Sequence, residues 1–270
     1  MASKNLEPLK KHQESALSRL DANGGSLLIC HPMGSGKTRT SVEAVEKLRK
    51  EGKATKTLVV VPASLRSNYL DNGVKKWTNS KGVILGSVSE DHPDIYDPKI
   101  PKADYYITSY DMFRKDPYLY LDKTKADTIV VDEMHNFRNE KTKNYEEMKN
   151  VRKHVSNFIG LTGTPFNNHP GDVRTLVDIV SNGNHELGRS LDDFKGRYTT
   201  KDADGTEILR KDRVAKLGEE LNKWVHYVPL SAIQNAADMP KKIIEDIDVE
   251  MSPRQQSHYN FVMKKVPRIS

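Results

Sequence analysis

The chain has 270 residues, 36% of them hydrophobic and 30% charged, with a formal net charge of +6. That balance belongs to a globular protein with a charged surface and excludes a disordered chain. Cys30 is the single cysteine, which excludes an internal disulfide framework and fits a reducing, cytosolic or nuclear-type compartment. No signal segment opens the chain, and no stretch approaches the roughly 20 apolar residues of a membrane span.

The first predicted element is a helix, because Leu6, Leu9, Gln13, Ala16, Leu17 and Leu20 recur at helical spacing before Asn23-Gly24-Gly25 ends the run. Five short apolar runs follow, SLLIC, TLVVV, YYITS, TIVVD and FIGLT. Polar or helical segments separate them, among them Thr38 to Lys50, Leu65 to Trp77 and Tyr145 to His154. Near-continuous apolar strands alternating with amphipathic helices predict an α/β fold, a doubly wound and mainly parallel sheet with helices on both faces. Beyond SNGNHELG the pattern changes to short helices and polar loops, including a turn at Ala203-Asp204-Gly205. The expected division is a sheet domain over 1–182, a small helical appendage over 183–235, and a strand and helix over 236–270. That last strand is read from the alternation of Ile243, Ile244, Ile247, Val249 and Met251, and the helix from Ser252 as cap with Pro253 behind it.

HPMGSGKT, residues 31 to 38, follows the first apolar run directly. A glycine-rich loop between strand and helix turns successive N–H groups toward one point, and the helix dipole adds positive charge there. Met33, Gly34, Ser35, Gly36, Lys37 and Thr38 therefore form a candidate ATP loop, in which Lys37 reaches the β- and γ-phosphates and Thr38 offers its hydroxyl to Mg²⁺. TIVVDEMH supplies the complementary acids. Asp132 ends a strand and can meet the same Mg²⁺, and Glu133 can orient or deprotonate the attacking water. Thr162 and Thr164 place hydroxyls at the carboxyl end of a third strand, where ligands collect in open α/β sheets. The nine histidines show no ligand-like spacing with one another or with Cys30. Lys and Arg are scattered from Lys4 to Arg268, so the positive charge is compatible with a polyanionic partner without marking where it would bind.

The ordered set LKKHQ, HPMGSGKT, VVVPASLRSNYLDNGVKKW, YITSYDMF, VVDEMHNFRN, GLTGTPFNN and MPKKIIEDIDVEMSPRQQSHY resembles the first, RecA-like motor lobe of the Swi/Snf-type DNA translocases of helicase superfamily two. The resemblance spans Leu9 to Tyr259, and its narrowest signals are VPASLRSNYLDNGVKKW and MSPRQQSHY. It implies that Gln13 reads the adenine edge, that Asp132, Glu133 and His135 form the acidic box, and that Thr162 and Thr164 couple nucleotide state to nucleic-acid contact. Ser64, Arg66, Asn68, Ser109 and Tyr110 are the implied contacts to the phosphodiester backbone of double-stranded DNA. Two departures stand out: His31-Pro32 replaces the Asp-Glu pair usual before the loop, and Met134 replaces the alanine of the acidic box.

Such motors also need a second RecA-like lobe, in the same chain or another, whose arginines stabilise the transferring phosphoryl group. After Thr164 no arginine pair lies in a QxxxRxxR setting. Arg174, Arg197, Arg210, Arg213 and Arg254 fall in appendage or linker. The expectation is half a motor, weakly active alone. Competing readings are an RNA helicase or restriction-type motor lobe, a non-catalytic nucleotide-binding module, and a small-molecule P-loop kinase, in which LTGTP and DEMH would have no obvious task.

Overall fold

The computed structural model describes residues 7–86, 93–164, 170–234 and 250–263. Two compact units divide the chain at Ile233/Gln234.

In the first unit seven strands form one sheet, ordered β3-β4-β2-β5-β6-β1-β9, and every pairing in it is parallel. They are β1 (Ser26–Cys30), β2 (Thr57–Val61), β3 (Gly82–Ile84), β4 (Tyr105–Ser109), β5 (Thr128–Val131), β6 (Asn157–Thr162) and β9 (Val225–Tyr227). A separate antiparallel hairpin joins β7 (Thr199–Lys201) to β8 (Glu207–Leu209). All five apolar runs are strands, fully buried along their length. Alternate residues serve opposite faces: Leu27, Ile29, Val59 and Val61 enter one core, and Leu28, Cys30, Leu58 and Val60 the other.

The first core is covered by α1 (Lys11–Ala22), through Ala16 and Leu20, and by α2 (Lys37–Lys50), through Val42, Val45 and Leu48. Beside them, within the segment Leu65 to Trp77 read as polar or helical, α3 (Arg66–Asn68) runs into a π-helical segment, Tyr69–Lys75. Gly73 lies in that segment, and a β-carbon there would stand 3.0 Å from Thr38 Cγ2, so the wide turn packs directly on the phosphate loop's helix. The opposite face carries α4 (Tyr110–Phe113), α5 (Pro117–Thr124), α6 (Lys143–Arg152), α7 (Asp172–Val180), α8 (Leu191–Tyr198) and α9 (Val214–Trp224). Asp178 pins this layer. It accepts from Lys149 at 2.7 Å, from His185 at 3.0 Å and from the Tyr145 hydroxyl. Against the upward push of burial, those donors hold its carboxyl well below the usual range.

The expected appendage is less separate than its composition implies. Residues 225–227 return to the main sheet as β9, so the sheet reaches beyond residue 182. The turn at 203–205 closes the β7–β8 hairpin, with Gly205 at φ 79°. A short α10 (Leu230–Gln234) follows β9. In the second unit α11 (Pro253–Met263) begins behind a reciprocal cap, in which the Gln255 side chain accepts from the Ser252 N–H at 3.0 Å while Gln255 N–H donates to the Ser252 hydroxyl at 3.4 Å. Ile243 to Val249, expected as a strand, lie outside the described residues.

Met134 finds its room at a glycine. A β-carbon at Gly160 of β6 would stand 2.2 Å from Met134 Sδ and 3.0 Å from Leu28 Cδ1, so the thioether fills the space a strand side chain would otherwise take. Gly160→Ala is therefore expected to cost about 1–3 kcal/mol by overpacking, and much less in a Met134→Ala background. Urea unfolding of the double-mutant cycle checks this; strictly additive effects would contradict the contact.

Candidate nucleotide site

Because β5, β6 and β1 are adjacent and parallel, the segments that follow them leave from one edge of the sheet. Pairing Cys30 with Thr162 and Val131 with Gly160 sets the phosphate loop, LTGT and the acidic pair side by side.

The loop begins at the buried His31 and ends at Gly36, the N-cap of α2. Gly34 has φ 76° and Gly36 φ 84°, left-handed values that glycine adopts without strain. No side chain caps α2 and its first turn carries no acid, so its leading N–H groups and dipole are left for an anion. Among the described residues Lys37 Nζ makes one long hydrogen bond, 3.4 Å, to the Pro32 carbonyl. Ser35 is buried and its hydroxyl has no partner among the described residues, a polar group available to a ligand. Met33 stands 83% exposed on the outer side of the loop.

Asp132 follows β5, is buried, and accepts from the Glu133 N–H at 3.0 Å. Burial and the neighbouring Glu133 push its carboxyl up to about 6, with Lys37 pulling the other way. A dication there would stabilise the ionised form, so the chemistry of the Asp132 carboxyl fits a Mg²⁺ ligand. Glu133 takes a left-handed φ of 53°, which turns the acidic box sharply out of the strand. His135 Nδ1 lies 3.1 Å from Glu133 Oε2 and 3.3 Å from the Thr162 hydroxyl. That hydroxyl in turn accepts from the Thr164 N–H at 3.1 Å. Four of the expected residues are thus brought together between the acidic box and the end of β6, with His135 in hydrogen-bond contact with Thr162 and within 3.1 Å of Glu133.

Gln13 sits in α1 beside the loop, almost fully buried. Its oxygen accepts from the Lys10 N–H at 3.0 Å and its nitrogen donates to the Gly36 carbonyl at 3.4 Å. The residues expected to touch nucleic acid divide. Ser64 and Asn68 are exposed. The Arg66 guanidinium is turned inward onto the carbonyls of Ala63 and Gly86. Ser109 is buried and caps α4 through Met112 N–H, and the Tyr110 hydroxyl donates to the Asp132 carbonyl. Those last two side chains are committed inside the protein, where Tyr110 braces the acidic box.

Three histidines that look unrelated in sequence meet behind the loop. His31 Nε2 lies 2.8 Å from His226 Nδ1, His226 Nε2 lies 3.0 Å from the Ser15 hydroxyl, and His12 Nε2 lies 2.9 Å from the Ser35 carbonyl. Burial is the main cause that drives His31 down to about 3 and His226 down to about 4. His226, His12 and Lys37 add to it at His31, and Arg19 and His12 at His226. Sequence spacing gives no sign of this cluster, since β9 is 195 residues from His31.

The fold and the loop define a P-loop lobe of RecA-like α/β type. The SNF2-related domain profile matches residues 12–269, and the chain belongs to that family. Among its relatives, the uncharacterized ATP-dependent helicase YqhH of Bacillus subtilis is 24% identical over 263 residues, 96% of this chain and 43% of that protein. The human SWI/SNF-related matrix-associated actin-dependent regulator of chromatin subfamily A member 1 is 28% identical over 268 residues, 96% of this chain and 24% of that protein. The chain thus spans less than half of either relative. The SWI2/SNF2 ATPase core of Sulfolobus solfataricus in complex with dsDNA superposes with a TM-score of 0.67 at 22% identity, covering 96% of this chain and 52% of that one. Among the described residues no helix is long and apolar enough to cross a membrane.

The buried imidazoles carry a signed pH dependence. An unfolded histidine takes a proton near pH 6.5, while these two stay neutral in the folded chain until about 3 and 4. Their contribution to stability is complete above pH 6.5 and is lost as pH falls toward those values, at up to about 1.4 kcal/mol per pH unit for each imidazole. Urea unfolding between pH 7.5 and 5 should show a steeper loss for the wild type than for a His31→Asn/His226→Asn double variant. Equal slopes would contradict the neutral assignment.

Proposed function

We propose that this chain is the ATP-binding lobe of a DNA-dependent ATPase that moves along duplex DNA. The observation that carries the proposal is the convergence, at one sheet edge, of the uncapped α2 terminus with Lys37, the Asp132–Glu133 pair, and the His135–Thr162–Thr164 path. In this reading the N–H groups opening α2 and the Lys37 ammonium bind the β- and γ-phosphates, and Gln13 faces the adenine. Thr38 and Asp132 hold Mg²⁺, which when bound neutralises charge on the phosphate oxygens. Glu133 positions the attacking water and takes its proton, and His135 restrains that carboxylate while reporting its state to Thr162. Ser64 and Asn68, both exposed, and Arg66 are the side chains this reading assigns to the DNA backbone; Arg66 would have to leave its carbonyl partners to reach it. The arginines that stabilise phosphoryl transfer come from a second lobe, and their absence costs about 10³ to 10⁵ in turnover in other P-loop systems. The isolated chain is accordingly expected to bind Mg-ATP and turn it over very slowly.

Lys37→Ala should weaken Mg-ATP binding by at least about tenfold, since a charge-assisted phosphate contact is lost, with an unchanged unfolding midpoint. Undiminished affinity in the folded variant would remove the site assignment. Joined to a second lobe, Glu133→Gln should retain ATP affinity while DNA-stimulated hydrolysis, followed by phosphate release, falls by about 10² or more. Wild-type turnover in that variant would move the base elsewhere. Duplex binding should fall with salt at a log–log slope of about −0.9 per phosphate neutralised and depend little on sequence; salt-insensitive or strongly base-selective binding would count against a motor that tracks the backbone.

A further inference from the structure

His226 lies on the sheet's edge strand, 195 residues along the chain from His31, yet its ring is part of the wall of the phosphate loop. Its Nδ1 faces His31 Nε2 at 2.8 Å and its Nε2 faces the Ser15 hydroxyl of α1 at 3.0 Å. The same helix grips the other end of the loop through His12 and the Ser35 carbonyl, at 2.9 Å, and carries Gln13 between the two grips. The residue before His31, Cys30, pairs with Thr162 of β6, so the start of the loop leaves the sheet beside the end of that strand.

The hydrogen-bond inventory selects a protonation state. A carbonyl can only accept, so His12 carries its proton on Nε2. Among the described residues the buried His31 Nδ1 has no partner, which is tolerable for a bare lone pair and costly for an N–H. His31 then carries its proton on Nε2 and donates to His226 Nδ1, and His226 donates from Nε2 to Ser15. A further proton on either ring would set an N–H against an N–H or bury one without an acceptor. The charged and titratable groups that face the pair, His12 and Arg19 from α1 and Lys37 from the loop, oppose protonation as well.

We propose that His226 is a positioning residue for the nucleotide: through a directed hydrogen bond accepted from His31, β9 fixes the start of the phosphate loop and sets the affinity for the phosphates of ATP. The proposal rests on the ATP-site reading above and deepens it. It gives a role to the histidine that stands in place of the family's usual acid, and it makes the edge strand part of the binding machinery.

The test is Mg-ATP affinity of the full chain, by titration with a fluorescent ATP analogue, for three variants. His226→Phe keeps the ring and removes both bonds. His226→Gln keeps a polar group near the Nε2 position, toward Ser15. His226→Asn keeps one at the Nδ1 position, toward His31. Loss of a buried hydrogen bond predicts about tenfold weaker binding for Phe and Gln, with Asn close to wild type. Wild-type affinity in His226→Phe, or equal losses in all three, would overturn the proposal and reduce His226 to packing. Failure of the wild type to bind, or full binding by Lys37→Ala, would instead overturn the site reading itself. A second measurement does not depend on the variants folding: in the wild-type protein the ¹⁵N resonances of the His31 and His226 rings should show the stated tautomers and shift when Mg-ATP is added, and unchanged ring resonances at saturation would also overturn the proposal.

Discussion

Everything at the site depends on the parallel pairing of β5, β6 and β1. Parallel strands need crossovers, and each crossover brings the chain back to start at the same edge and finish at the opposite one. Three loops far apart in sequence are therefore delivered side by side, about 5 Å apart strand to strand. The cation, the metal acid and the hydroxyls need no long excursion to meet. The burial of both faces supplies the rigidity. With Leu27 and Ile29 locked into one core and Leu28 and Cys30 into the other, a slip of β1 by one residue would drive each set into the core shaped for the other.

That rigid sheet carries a polar load close to the site, and the load is balanced locally. Asp132 is buried beside Glu133, an arrangement that disfavours two negative charges and keeps the pocket ready for a dication and a lysine. Behind the loop, where the motif resemblance leads one to expect acids, the chain uses neutral imidazoles that hydrogen-bond to one another and to Ser15. Over the acidic box, Met134 replaces a small residue and Gly160 yields the space. In both departures a substitution at a motif position is answered by a residue on a neighbouring strand.

How far the sequence reveals this depends on the range of the interactions. The five central strands are legible because each is buried on both faces and so is written as an unbroken apolar run. β3 and β9 are three-residue edge strands. Val225-His226-Tyr227 has no such run, and its place is decided by pairing with β1, which no local pattern encodes. The phosphate loop and the acidic pair are legible for the converse reason, since their chemistry is concentrated in a few consecutive residues. The meeting of His12, His31 and His226 is not, because it is produced by tertiary closure. For Ser109 and Tyr110, motif position suggests outward contact, while in the fold the Ser109 oxygen caps α4 and the Tyr110 hydroxyl donates to the Asp132 carbonyl, partners that motif position does not encode.

The central claim is that the segments following β1, β5 and β6 act as one nucleotide site. Amide hydrogen exchange on the intact chain, with and without a non-hydrolysable ATP analogue and Mg²⁺, tests it most directly. The account predicts slowed exchange at the amides of Gly34 to Thr38 together with those of Glu133 to His135 and Gly163 to Thr164, all saturating at the same nucleotide concentration. Protection confined to the loop, or found elsewhere on the sheet while these three segments stay unchanged, would contradict it.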